Sequence, residues 1–123
     1  MIAEDEPKLL ELTKELLESQ GYKVLCARDG AEAVQVYDTH IGKIGLVILD
    51  VVMPRMGGQK AFSEIRKIDD AVPVMFCTGY YSNAIDSEFL ATNHLRMIYK
   101  PISPNEFIAA VRETLDGAAP HPA

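Results

Sequence analysis

The chain has 123 residues, of which 48% are hydrophobic and 24% charged, and its formal net charge is −6. That length predicts one domain whose core needs no metal or disulfide staple, and the composition excludes disorder. The acidic surplus excludes general binding to nucleic-acid phosphates or anionic membranes, and apolar runs such as residues 45–49 are too short to cross a bilayer.

Charges begin at Glu4 with no long apolar stretch behind them, so no signal peptide is expected. Cys26 and Cys77 alone build neither a disulfide framework nor a zinc site. A reducing, cytoplasmic setting is the simplest reading.

The elements alternate along the chain. Residues 1–3 are a very short apolar strand. Pro7 stands at a first helical position, and Leu9, Leu12, Leu16 and Leu17 follow at helical spacing until Gly21. Residues 22–27 read as a second strand. Asp29 is an N-cap for a helix carrying Ala33, Val34 and Tyr37. Residues 44–49 are continuously apolar apart from Gly45, as in a strand buried on both faces. A loop with Pro54, Gly57 and Gly58 leads to a helix with Phe62, Ile65 and Ile68. Residues 72–77 are the fourth strand, 82–91 a weaker helix, and 95–99 the fifth strand, ended by Lys100-Pro101. Ser103 caps a last helix with Phe107, Ile108, Val111 and Leu115 on one face. Residues 1–116 form the domain. Residues 117–123, with two prolines and no periodicity, read as a frayed end or linker.

Five βα units predict a parallel sheet covered by helices on both faces. Ligands of such sheets bind beyond the carboxyl ends of the strands. Glu4, Asp5 and Glu6 follow the first strand, Asp50 the third, Thr78 and Gly79 the fourth, and Lys100 the fifth. Converging carboxylates repel, and one ammonium does not offset them. A hard divalent cation suits the remaining charge, and Mg²⁺ is the one that takes a few carboxylates together with phosphate oxygens. The implied reactant is a phosphoryl group, with Asp50 as nucleophile and Thr78 and Lys100 on the phosphoryl oxygens. Gly79 leaves space for a donor.

The segments Glu4-Asp5-Glu6-Pro7, Ile48-Leu49-Asp50, Met53-Pro54-Arg55-Met56-Gly57-Gly58, Val74-Met75-Phe76-Cys77-Thr78-Gly79 and Lys100-Pro101 occur in order over residues 1–116. Together they make the chain resemble the receiver domain of two-component response regulators. The resemblance implies a (βα)5 flavodoxin-like fold with strand order 2-1-3-4-5. It implies that Asp50 is the phospho-acceptor, that Asp5 and Asp50 ligate Mg²⁺, that Glu4 does so through water, and that the Val52 backbone carbonyl completes the protein ligands. It makes Thr78 the switch hydroxyl and Lys100 the phosphoryl partner, oriented by a cis Lys100-Pro101 peptide. The donor is a phosphohistidine on a sensor histidine kinase or a histidine phosphotransfer domain. Phosphorylation then remodels the surface of the fourth helix and fifth strand.

Three features distinguish this chain within that pattern. Its first strand is short. The aromatic switch position, three before the lysine, holds Met97, with Tyr99 next to Lys100. The positions that tune dephosphorylation, two beyond Asp50 and two beyond Thr78, are Val52 and Tyr80, neither of which can orient an attacking water. Slow self-dephosphorylation is therefore expected. Residues 100–107 resemble the end of receivers attached to hybrid sensor kinases, which would tether the domain through a membrane-bound parent. A homodimer through the fourth-helix face stays open.

Arg55 reads as solvated, Met53 and Met56 as packing residues, and the cysteines as small core hydrophobes. Two other functions compete. One is a receiver-like binding module that never carries phosphate. The other is a phosphatase of haloacid dehalogenase type, disfavoured because its second aspartate would fall at Val52. No G-x-x-x-x-G-K-[ST] or G-x-G-x-x-G occurs.

Overall fold

A computed structural model of the chain describes residues 1–79, 87–93, 95–100 and 103–117. Ten elements alternate: β1 (Ile2–Ala3), α1 (Pro7–Ser19), β2 (Cys26–Ala27), α2 (Gly30–Thr39), β3 (Val47–Asp50), α3 (Gly58–Ile68), β4 (Val74–Thr78), α4 (Ser87–Thr92), β5 (Arg96–Tyr99) and α5 (Pro104–Asp116). The strands form one parallel sheet in the order β2-β1-β3-β4-β5, as expected.

Every residue of β3 and β4 is buried, which is why those stretches read as unbroken apolar runs. Side-chain alternation splits the strands between two cores. Val47, Leu49, Val74 and Phe76 join Ala33, Tyr37, Phe62 and Ile65 from α2 and α3. Ile48, Met75, Cys77 and Ile98 join Leu17 of α1 and Phe107, Ala110 and Val111 of α5. Tyr37, fully buried, donates its hydroxyl to Asp69 at 2.6 Å and so ties α2 to the end of α3.

The helix starts follow their caps. Glu6 accepts from the amides of Lys8 and Leu9, Asp29 from that of Glu32 at 2.8 Å, and Ser103 from that of Glu106 at 3.2 Å. Pro7 and Pro104 sit in the first turns, where no amide hydrogen is needed.

Boundaries differ from expectation for identifiable reasons. β2 narrows from 22–27 to two residues because it is an edge strand paired with the short β1. Tyr22 and Val24 pack against the α1/α5 core instead. β1 is effectively longer than its two residues, since the Met1 carbonyl accepts from Ile48 at 2.8 Å and the Glu4 amide donates to Ala27 at 3.0 Å. β3 starts at Val47 and β4 at Val74, later than expected, and each runs one residue further, so Asp50 and Thr78 are the last residues of their strands. Pro73, which has no amide hydrogen, precedes β4 and gives its carbonyl to Val47 at 2.9 Å. The first half of the expected fourth helix lies outside the described residues, as does the tail beyond Gly117.

Candidate phosphoryl-acceptor site

The carboxyl edge of the sheet gathers the acidic and basic residues. Glu4 follows β1, Asp50 ends β3, Thr78 ends β4 and Lys100 follows β5. Glu4, Asp50 and Thr78 are buried, at 5%, 8% and 2% exposure, while Asp5 is exposed to solvent. Such burial of two acids at one strand edge requires compensation. Lys100 supplies it: its ammonium donates to a Glu4 carboxylate oxygen and, at 3.3 Å, to Asp50 Oδ2. The other Glu4 oxygen accepts the amide of Glu6 at 3.2 Å. The Lys100 amide donates to the Thr78 carbonyl at 2.7 Å, which fixes the lysine backbone against the end of β4.

Three carboxylates and one ammonium leave a formal local charge of −3 + 1 = −2. Burial, and then the neighbouring Asp50, push the Glu4 carboxyl above its usual range despite Lys100. Asp5 is raised as well, by partial desolvation and by Glu4 beside it. Burial disfavours the Lys100 ammonium, but Glu4 and Asp50 outweigh it and hold the pKa above the ordinary lysine value.

The donor set fits a hard divalent ion. Glu4, Asp5 and Asp50 each place a carboxylate oxygen within 4.8 Å of the others, and among the described residues no soft ligand joins them. A Cβ on Gly79 would meet no heavy atom of the described residues within 4 Å. The site continues into a cleft of about 790 Å³ between α1, the sheet and α5, walled by Leu9, Leu12 and Phe107.

Two glycines set the backbone of β3 and the turn after it. Side chains at Gly58 and Gly30 would collide with the carbonyls of Asp50 and Met56, respectively. Gly58 therefore lets α3 start directly against Asp50, and its amide donates to the Val51 carbonyl at 2.9 Å.

Of the expected site residues, Glu4, Asp5, Asp50 and Lys100 come together. Glu6 leaves the cluster to cap α1. Val52 lies in the turn after Asp50, 61% exposed. Met97 is half-buried and packs with the α2/α3 core, and Tyr99 is exposed. Pro101 and Tyr80, and with Pro101 the expected cis peptide, lie outside the described residues. Arg55 is not merely solvated: its guanidinium pairs with Asp29, which is 1% exposed. The cap role of Asp29 is legible locally, but its cationic partner is 26 residues away and only folding brings it near.

The fold and this edge define a signalling receiver. Residues 1–112 match the response regulator receiver domain, and the chain belongs to that family, the receivers of two-component systems. The transcriptional regulatory protein GlrR of Escherichia coli K12 is 33% identical over 98% of this chain and 27% of its own length. The sensor kinase CckA of Brucella abortus is 30% identical over 94% of this chain and 12% of its own length. The chain thus spans about a quarter or less of these two relatives. A crystal structure of a response regulator receiver domain protein from Clostridium thermocellum superposes with a TM-score of 0.81 at 27% identity, covering 94% of this chain and 91% of that one.

Proposed function

We propose that the chain accepts a phosphoryl group on Asp50 from a phosphohistidine of a sensor histidine kinase or phosphotransfer domain. The observation that carries this reading is the Glu4–Asp5–Asp50 carboxylate cluster with Lys100 bridging Glu4 and Asp50 at the sheet edge. An Asp50 carboxylate oxygen attacks phosphorus, and an O–P bond forms as the N–P bond breaks. The imidazole leaves with the electron pair and takes up a proton. Lys100, already beside Asp50, turns its ammonium to a phosphoryl oxygen, and the Thr78 hydroxyl donates to another. Asp5, Asp50, the Val52 carbonyl and, through water, Glu4 would hold Mg²⁺, which when bound neutralises phosphoryl charge.

Packing supports a readout at α4. Phe89 of α4 stands edge-on to Phe62, with ring centroids 5.6 Å apart, and Phe62 lies 6.0 Å from Phe76 of β4, two residues before Thr78. Met97 packs against the same cluster. The acceptor side chain has no amide or carboxylate at Val52 to aim a hydrolytic water, so the phosphorylated state is long-lived. The resemblance to CckA supports a place in a phosphorelay inside a sensor kinase.

The test is intact mass after incubation with acetyl phosphate and Mg²⁺. One added phosphoryl group, about 80 Da, in the native chain and not in Asp50→Asn supports the reading. No gain in the folded native chain points instead to a receiver that never carries phosphate.

A further inference from the structure

We propose that Arg55 is a positioning residue for the metal side of the acceptor site, acting with Asp29 as a clamp on the turn that follows Asp50. The inference rests on the reading of Asp50 and the Val52 carbonyl as metal ligands.

Arg55 has φ = 64°, the one positive value among the described non-glycine residues. The Met56 amide donates to the Pro54 carbonyl at 2.6 Å, across Arg55 alone. A two-residue hydrogen bond around a positive φ is a γ-turn of the rare, strained kind. A side chain with a Cβ persists there only where the surroundings over-determine it. Here they do. The Arg55 guanidinium reaches Asp29 through both Nε, at 2.8 Å, and a terminal nitrogen. The Gly30 amide donates to the Met56 carbonyl at 2.9 Å, so Asp29 and Gly30 at the start of α2 hold the strained residue and the one after it.

The other end of the turn is tied to the acceptor strand. The Val51 amide donates to Cys77 at 3.1 Å, and the Val51 carbonyl accepts from Gly58. Val52, 61% exposed, follows these anchors and lies between the buried Val51 and Met53. Core packing of Val51 and Met53 holds its two neighbours, and the clamp at Arg55 fixes the exposed far end of the turn beyond them. Compensation of the buried Asp29 carboxylate does not account for the whole arrangement. Its arginine is 73% exposed and closes a strained turn, whereas Asp29 already caps α2 through Glu32 without it. Strain held this way next to a reacting carboxylate is a positioning device.

The experiment is a calorimetric Mg²⁺ titration of the native chain, Arg55→Gly, Asp29→Asn, the double variant and Asp50→Asn, with urea unfolding in EDTA beside it. Glycine suits the positive φ and Asn keeps the cap, so both single variants should fold, Arg55→Gly with some loss of stability because the buried Asp29 carboxylate then lacks its cation. Each should weaken Mg²⁺ binding about tenfold, the low end of what supports of metal ligands contribute. The double variant should be no weaker than either single one. Arg55→Lys, which keeps charge but not the fork, should recover only part of the loss. Native affinity in Arg55→Gly, or additive losses in the double variant, overturns the clamp. A native chain with no Mg²⁺ site that Asp50→Asn abolishes overturns the function reading as well, which separates the two failures.

Discussion

Lys100→Met tests the electrostatic account of the site most directly. The methionine keeps the unbranched stem of the side chain, one atom shorter, and removes its charge. In the native chain one ammonium lies against Glu4 and, at 3.3 Å, Asp50. At an effective dielectric of about 20, a contact of that length is worth about 5 kcal/mol of attraction. Desolvation of the three groups offsets most of it. Breaking a fully buried pair from one side costs about 3–5 kcal/mol. The Lys100 side chain is 21% exposed and the two acids 7% and 10%. The low end applies, and a loss of about 3 kcal/mol is expected at pH 7 without metal. For a domain of this size that is a drop of roughly 10 °C in Tm.

The sign with pH follows from linkage. Burial and Asp50 already raise the Glu4 carboxyl, and loss of Lys100 raises it further. A raised acid binds more protons folded than unfolded, so the variant regains stability as pH falls through that raised value. The gap to the native chain should therefore shrink from pH 7 to pH 5. Mg²⁺ should also stabilise the variant more than the native chain, because it replaces the missing charge. Urea unfolding followed by far-ultraviolet circular dichroism, with and without Mg²⁺, reads all three effects. A loss below about 1 kcal/mol, or a gap unchanged by both pH and Mg²⁺, would refute the reasoning.

The Tyr37 hydroxyl and backbone amides hold the Asp69 carboxyl below its usual range. Its contribution is complete above the unfolded carboxylate pKa and is lost as pH falls through the depressed folded value. Tyr37→Phe should cost about 2 kcal/mol at pH 7, and acid titration should show the difference vanishing at the lowest pH. Gly58→Ala drives a methyl into the Asp50 carbonyl, so stability should drop by about 1–3 kcal/mol. Phosphorylation by acetyl phosphate should slow in the same variant even where it is fully folded. Val52→Asn places an amide beside the acceptor, and the half-life of the phosphorylated chain, followed by intact mass, should shorten about tenfold or more.

Much of this molecule can be read along the chain because its information is local. The caps at Asp29 and Ser103, the prolines at the first helical turns and the doubly buried runs of β3 and β4 each depend on residues a few positions apart. The alternation of those elements leaves one sensible sheet, and the sheet places Glu4, Asp50 and Lys100 on one edge. What could not be read required distant partners. The division of labour among three consecutive acids, with Glu4 on Lys100 and Glu6 on α1, depends on a lysine 96 positions from Glu4. The length of β2 depends on how much of β1 faces it. The Asp29–Arg55 clamp joins the start of α2 to the far side of the β3–α3 turn. Sequence alone determined the order of elements and the chemical types at the edge, since both follow from short-range periodicity. Only the tertiary structure decided which charge answers which, because Coulomb energy depends on separation in space and on burial, and neither is a property of spacing along the chain.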